Sequence, residues 1–168
     1  MKNNYYEIPK SEFEDGIKKI KKNILNFLDS AEILLNSNKK DHASILTEFA
    51  IEELGKILML KDEYDNLSNS IKIPKSVFRT HKGKSERAWQ FLNQSYRMIS
   101  NGGFERSDDG SIGFERGFEQ VTFASHNTRL ECAFVDFENS KRWYVGRNID
   151  STKLKEQIKH IQEKIQEL

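Results

Sequence analysis

Cysteine is nearly missing from this chain, with Cys132 the single one among 168 residues. An internal disulfide is therefore excluded, a reducing compartment fits, and Cys132 reads as a small apolar packing residue. Proline is scarce as well: Pro9 stands just ahead of a long helical pattern, and Pro74 ends any long helix that reaches it. There is also no excess of one charge, since 27 Lys and Arg face 26 Asp and Glu for a net of +1. That balance argues against a surface that coats nucleic acid generally and leaves room for a local basic patch. No apolar run approaches the roughly 20 residues a membrane helix needs. The opening MKNNYYEIPK lacks the apolar stretch of a secretory signal, so a cytoplasmic protein without a membrane partner is expected. Neither a phosphate-cradling P-loop nor a dinucleotide glycine fingerprint occurs, and there is no internal repeat or low-complexity tail.

What is present has the balance of a soluble helical protein, with 32% charged and 36% hydrophobic residues. The length suffices for one substantial core and is short for two, so residues 1–168 read as a single domain.

The stretch 41 to 64, DHASILTEFAIEELGKILMLKDEY, organises the rest. On a helix, Leu46, Phe49, Ala50, Ile57, Leu60 and Tyr64 fall on one side, the i, i+3, i+4, i+7 signature of a core-facing element. Glu53 falls in the middle of that apolar side, with Lys56 beside it and His42 near the same line. A buried carboxylate costs several kcal/mol unless partnered. Lys56 is one candidate partner, three residues beyond Glu53 and four beyond Glu52; the plain alternative is an edge salt bridge worth roughly 0.3–0.5 kcal/mol. Gly55 costs about 1 kcal/mol relative to alanine inside a helix, which close approach of another helix would offset. Ile51 and Leu58, roughly opposite Glu53, also need cover, from neighbouring helices or from a second subunit.

Along the chain, Phe13, Ile17, Ile20, Ile24, Phe27, Leu28, Ala31, Leu34 and Leu35 form a stripe that predicts a first helix over residues 11 to 36, with Ser11 and Glu14 at capping-box spacing. NSNKKD breaks the pattern and positions Asp41 to cap the next helix, so the two must run antiparallel. FRTHKGK, residues 78 to 84, reads as a cationic loop able to hold an anion. Ser85 is placed to cap a third helix ending near Ser100. The glycine- and serine-rich stretch 101 to 113 reads as a loop, and a fourth helix follows over 114 to about 128. LECAFVDF and RWYVG, separated by ENSK, predict a short hairpin. Asp150 or Ser151 then caps a last helix carrying Leu154, Ile158, Ile161, Ile165 and Leu168.

No Glu-x-x-His pair of the di-iron type occurs, so neither a metal nor a cofactor is expected. A metal-free phosphodiester site needs a proton-transfer group and cations. His81 or His126 supplies the first, Arg79, Lys82, Lys84 and Arg129 the second, with Glu53 and Lys56 ordering them. On RNA the attacking group would be the substrate's own 2′-hydroxyl.

The run HASILTEFAIEELGKILML, then FRTHKGK and RLECAFVDFENSKRWYVG before a last helix, resembles the abortive infection protein V (AbiV) family of the HEPN superfamily, over roughly residues 13 to 165. The resemblance implies an all-α HEPN-like bundle, usually a homodimer, in a bacterial antiphage system that arrests the infected cell. It further implies a metal-independent ribonuclease with an Arg-x4-6-His motif. The sequence departs from that motif, since no arginine lies five to seven residues before His42, His81, His126 or His160. Three readings follow. One is a defence protein acting on RNA or translation once a phage component triggers it, with catalytic His81, Arg129, Glu53 and Lys56 and substrate-binding Arg79, Lys82, Lys84, Glu52 and His126. Another is a binding effector without chemistry of its own, contacting a host machine such as a ribosome-associated target. A scaffold in which Glu53 and Lys56 merely set helix register is the third.

Overall fold

The computed structural model describes residues 4–64, 68–99, 135–137, 143–145 and 149–168, with residues 93–99 and the two short segments 135–137 and 143–145 traced by their backbone. Its frame is an antiparallel helical hairpin. Helix α1, Lys10–Asn36, carries Ile24, Leu28, Ala31 and Leu35 fully or almost fully buried along one stripe. Helix α2, Lys40–Asp62, returns along it. The turn between them is a Schellman closure: the Asn38 amide donates to the Leu35 carbonyl at 3.0 Å and the Lys39 amide to Leu34 at 2.8 Å. Asn38 takes a φ of 59°, a left-handed conformation that asparagine tolerates better than most side chains.

Both helices begin a little earlier than their sequence signals place them. Pro9 precedes Lys10 directly and Ser11 lies inside α1, so no capping box forms. Asp41 likewise sits in the first turn of α2 behind Lys39, close enough to favour the helix dipole without capping an amide.

A two-stranded antiparallel ribbon, β1 (Tyr5–Pro9) with β2 (Ser70–Pro74), joins the chain start to the segment after α2, pairing Tyr6 with Ile73 and Ile8 with Ile71. Such a ribbon is marginal alone. It persists because Ile71 and Ile73 close over Phe13, Leu60 and Val77, a small second core beside the main one. Each strand is five residues long and the two lie some sixty residues apart, so local periodicity does not announce them.

Helix α3, Ser76–Arg79, is a single turn, and α4, His81–Ile99, starts at His81. FRTHKGK is thus not a loop. It is the end of α3 and the first turn of α4, and Ser85 lies one turn inside rather than at the cap. A second antiparallel pair, β3 (Val135–Phe137) with β4 (Trp143–Val145), matches the expected hairpin. Asp150 caps α5, Ser151–Gln166, accepting from the amides of Thr152 at 2.9 Å and Lys153 at 3.2 Å. The fourth helix expected over 114 to 128 lies outside the described residues.

Helix α2 is the centre of the bundle, with α1, α4 and α5 all packed on it. Ala50, Ile51, Leu54 and Ile57 are fully buried among Leu28 and Ile24 of α1, Ala88 and Leu92 of α4, and Leu154, Ile158 and Ile161 of α5. The core line of α2 therefore runs through Ile51, Leu54 and Leu58, and the chain itself covers Ile51 and Leu58. Leu46 and Phe49 lie at its margin, where Phe49 meets Phe27 at 5.7 Å. The fold is all-α apart from the two small ribbons.

Candidate functional site

Helices α2 and α4, which share the apolar core through Ala88 and Leu92, also bury polar groups where they meet. On α2, Glu48, Glu52 and Gly55 follow one another at i, i+4 and i+7 and all are buried. On α4, Lys84, Ser85 and Ala88 form the facing ridge. Gly55 makes the approach possible: a Cβ on it would lie 1.8 Å from the Lys84 carbonyl oxygen, inside any permitted contact. The helix cost of glycine is offset here by backbone against backbone.

That approach brings the first residue of α4 over Glu52. The His81 imidazole donates from Nδ1 to Glu52 Oε2 across 2.7 Å, with the carboxylate 8% exposed and the imidazole 52% exposed. A buried carboxylate thus orients a histidine that solvent and a ligand can reach. The Nδ1–H bond to Glu52 sets the tautomer and orientation of the ring, in which Nε2 is the proton-accepting nitrogen.

The neighbouring acid has a different fate. Glu53 is turned away by one helical step to the partly buried margin of α2 and takes Lys56, whose Nζ donates to Oε1 at 2.5 Å. Neither Glu53 nor Lys56 bonds to His81. The deep carboxylate is Glu52 and the marginal one is Glu53, the reverse of what the apolar spacing of Leu46, Phe49 and Ile57 predicts.

The cations of FRTHKGK separate. Arg79, at the end of α3, and Lys82 are exposed, the latter with only a loose contact to Glu86 at 3.8 Å. Lys84 instead is buried, 4% exposed, in the seam against α2. It belongs to the helix packing rather than to an open phosphate cradle. His126 and Arg129 lie outside the described residues. Glu48 adds a second buried acid one turn before Glu52, which helical spacing from Glu52 could have flagged and the apolar stripe could not. His160 serves packing, its Nε2 meeting the Leu92 carbonyl of α4 at 3.3 Å.

A clamp closes the far end of the same pair of helices. Arg87 donates from Nε and from an Nη to both carboxylate oxygens of Asp62, at 2.8 and 2.9 Å. The Arg87 hydrogen bond, against an opposing effect of burial and with help from the Arg87 charge, holds the Asp62 carboxyl below its ordinary value of 3.8, and Asp62 raises Arg87 in turn. Among the described residues no three His, Cys, Asp or Glu side chains are grouped as a metal site would need, and no helix is long and apolar enough to cross a membrane.

A helical hairpin centred on α2, with α4 and α5 laid against it and a carboxylate–histidine pair at the α2–α4 seam, is an all-α HEPN-like bundle. Among protein families, HEPN_AbiV, described as AbiV, matches residues 12–167. The chain belongs to the AbiV family, and membership points to abortive-infection defence. No curated protein and no solved structure matches it.

Proposed function

We propose that this protein is an abortive-infection antiphage effector that acts on RNA once a phage component triggers it, as a homodimeric, metal-independent ribonuclease centred on His81. One observation carries the reading: a half-exposed imidazole held at 2.7 Å by a carboxylate that the bundle buries. Burying an acid only to brace a surface histidine is costly unless the histidine's position matters.

In the proposed step His81 Nε2 takes the proton of the substrate's 2′-hydroxyl. The 2′-oxygen attacks the adjacent phosphorus, and the P–O5′ bond breaks to leave a 2′,3′-cyclic phosphate. The departing 5′-oxygen takes up a proton from solvent, and His81 then returns its own proton to solvent. Glu52 steadies the imidazolium that forms, as a carboxylate steadies a catalytic histidine elsewhere. Arg79 and Lys82, both exposed next to His81 in the chain, supply charge for the phosphorane oxygens. Arg129 and His126 remain candidates for the same site on sequence grounds. Because the substrate carries its own nucleophile, the step requires no divalent ion.

The test is cleavage of RNA in EDTA by the purified protein with its trigger present. Wild type is expected to cut, His81→Ala to lose about 10² to 10⁴ in rate, and Glu52→Gln to lose activity while still folding. Intact RNA under those conditions sinks the enzyme reading.

A second reading has an observation of its own. Ile33 is 66% exposed and Leu25 38% exposed on α1, large apolar groups of the kind that mark protein contacts. Under it the protein arrests a host machine by binding, His81→Ala keeps growth arrest, and Ile33→Glu abolishes it.

A further inference from the structure

Two aromatic rings stand in the open where the chain is most basic. Phe78, in α3, is 39% exposed, and Tyr6, in β1, is 43% exposed; their centroids are 5.7 Å apart at 71°, edge to face. Burying such a ring is favourable, and the second core lies next door. The single turn of α3 explains why Phe78 does not take that place. Val77 fills the inward position at 2% exposed, so Phe78 and Arg79, the next residues around the turn, point outward. The β1–β2 pairing then carries Tyr6 to the same corner from sixty-odd residues away.

The sequence around Phe78 is basic. Residues 66–85 carry Lys72, Lys75, Arg79 and Lys82 without one carboxylate in the run, in a chain whose net charge is only +1, while Lys84 is buried and His81 is held by Glu52. The Lys75 ammonium lies 5.1 Å from the Tyr6 ring centroid. The nearest acid along the ribbon, Glu7, alternates to the other face of β1 from Tyr6 and accepts from Ser70 Oγ at 2.6 Å. Exposed rings interleaved with cations are what an unpaired nucleic acid strand needs: a flat apolar face for each base and positive charge for each phosphate. A duplex keeps its bases stacked on each other and cannot use the rings.

We propose that the Tyr6–Phe78 pair is a base-stacking platform that seats single-stranded RNA, with Lys75 and Arg79 on its phosphates, and delivers the strand to His81 three residues further on. The delivery rests on the ribonuclease reading; the seating does not. The aromatic pair is the specificity element, selecting unpaired over paired RNA, and the cations supply affinity without regard to base.

Fluorescence anisotropy of the full chain with a labelled single-stranded RNA 20-mer, and with the same strand in duplex, separates the two claims. Wild type is expected to prefer the single strand. Phe78→Ala should weaken single-strand binding about tenfold or more with an unchanged salt slope, since one stacked base is lost and no charge, while Phe78→Trp keeps it. Arg79→Ala should weaken both probes and flatten the salt slope. If Phe78→Ala binds like wild type, or if it changes only the oligomeric state in sedimentation, the rings serve a protein contact or nothing and the platform is overturned. Absence of single-strand binding by wild type at low salt overturns it equally. Cleavage that depends on His81 while Phe78→Ala leaves affinity and KM unchanged removes the platform and leaves the ribonuclease. Phe78-dependent binding without cleavage does the reverse.

Discussion

At Glu52 and Glu53, two identical side chains next to each other in sequence do different work. One helical step of about 100° separates them, enough to put Glu52 in the α2–α4 seam and Glu53 at the margin with Lys56. Their substitutions should differ accordingly. His81→Ala leaves the Glu52 carboxylate buried with one partner fewer, and a stability loss of about 1–3 kcal/mol is expected in urea titrations. Glu53→Gln loses only a marginal ion pair, and a change of no more than about 0.5 kcal/mol should be found in the same titration. Equal effects at the two positions would mean that burial does not distinguish them.

At the scale of elements, glycines in two helices give a controlled comparison. Gly55→Ala gains about 1 kcal/mol of helix propensity, but its methyl meets the Lys84 carbonyl at 1.8 Å, so α4 must move. A net loss of about 1–3 kcal/mol is expected from such overpacking, with His81 displaced from Glu52 and activity falling with it. Gly16→Ala, in α1 with nothing within 4 Å of the new atom, should stabilise by about 0.5–1 kcal/mol. Thermal melts of the two variants should move in opposite directions. The close approach implied by Gly55 was legible from its place inside an amphipathic pattern, because glycine there is costly. Which residue approaches was not, because that depends on where α4 begins, and the cationic run HKGK disguises a first helical turn as a loop.

For the whole molecule, acid sensitivity follows from the clamp between α2 and α4. Asp62 has a folded-state pKa below its ordinary value because of Arg87, so the unfolded chain binds its proton first as the pH falls. Its contribution is therefore present above the ordinary value and is lost as the pH drops through the lower, folded one. Both partners are partly exposed, which limits the effect to about 1 kcal/mol or less. Melting curves between about pH 5 and pH 2 should show wild type losing this increment and Asp62→Asn lacking it. The proposed homodimer gives a second whole-molecule check, a melting temperature that rises with protein concentration. Intrachain packing already covers Ile51 and Leu58, so the dimer contact is sought elsewhere.

The sequence alone determined the features that local geometry enforces. The stripe of α1, the short reversal within residues 36–41, a cap at Asp150 or Ser151 and the presence of an intimate helix contact at Gly55 each depend on residues within a turn or two of one another, where spacing and sterics leave few alternatives. Only the tertiary structure decided which carboxylate goes inward, that Lys84 is packed rather than offered to a ligand, and that Tyr5–Pro9 pairs with Ser70–Pro74. Those outcomes depend on which helices flank α2 and on contacts across sixty residues. A rotation of one residue about α2 exchanges Glu52 for Glu53, and the packing of α1, α4 and α5 on Ile51, Leu54 and Leu58 sets that rotation.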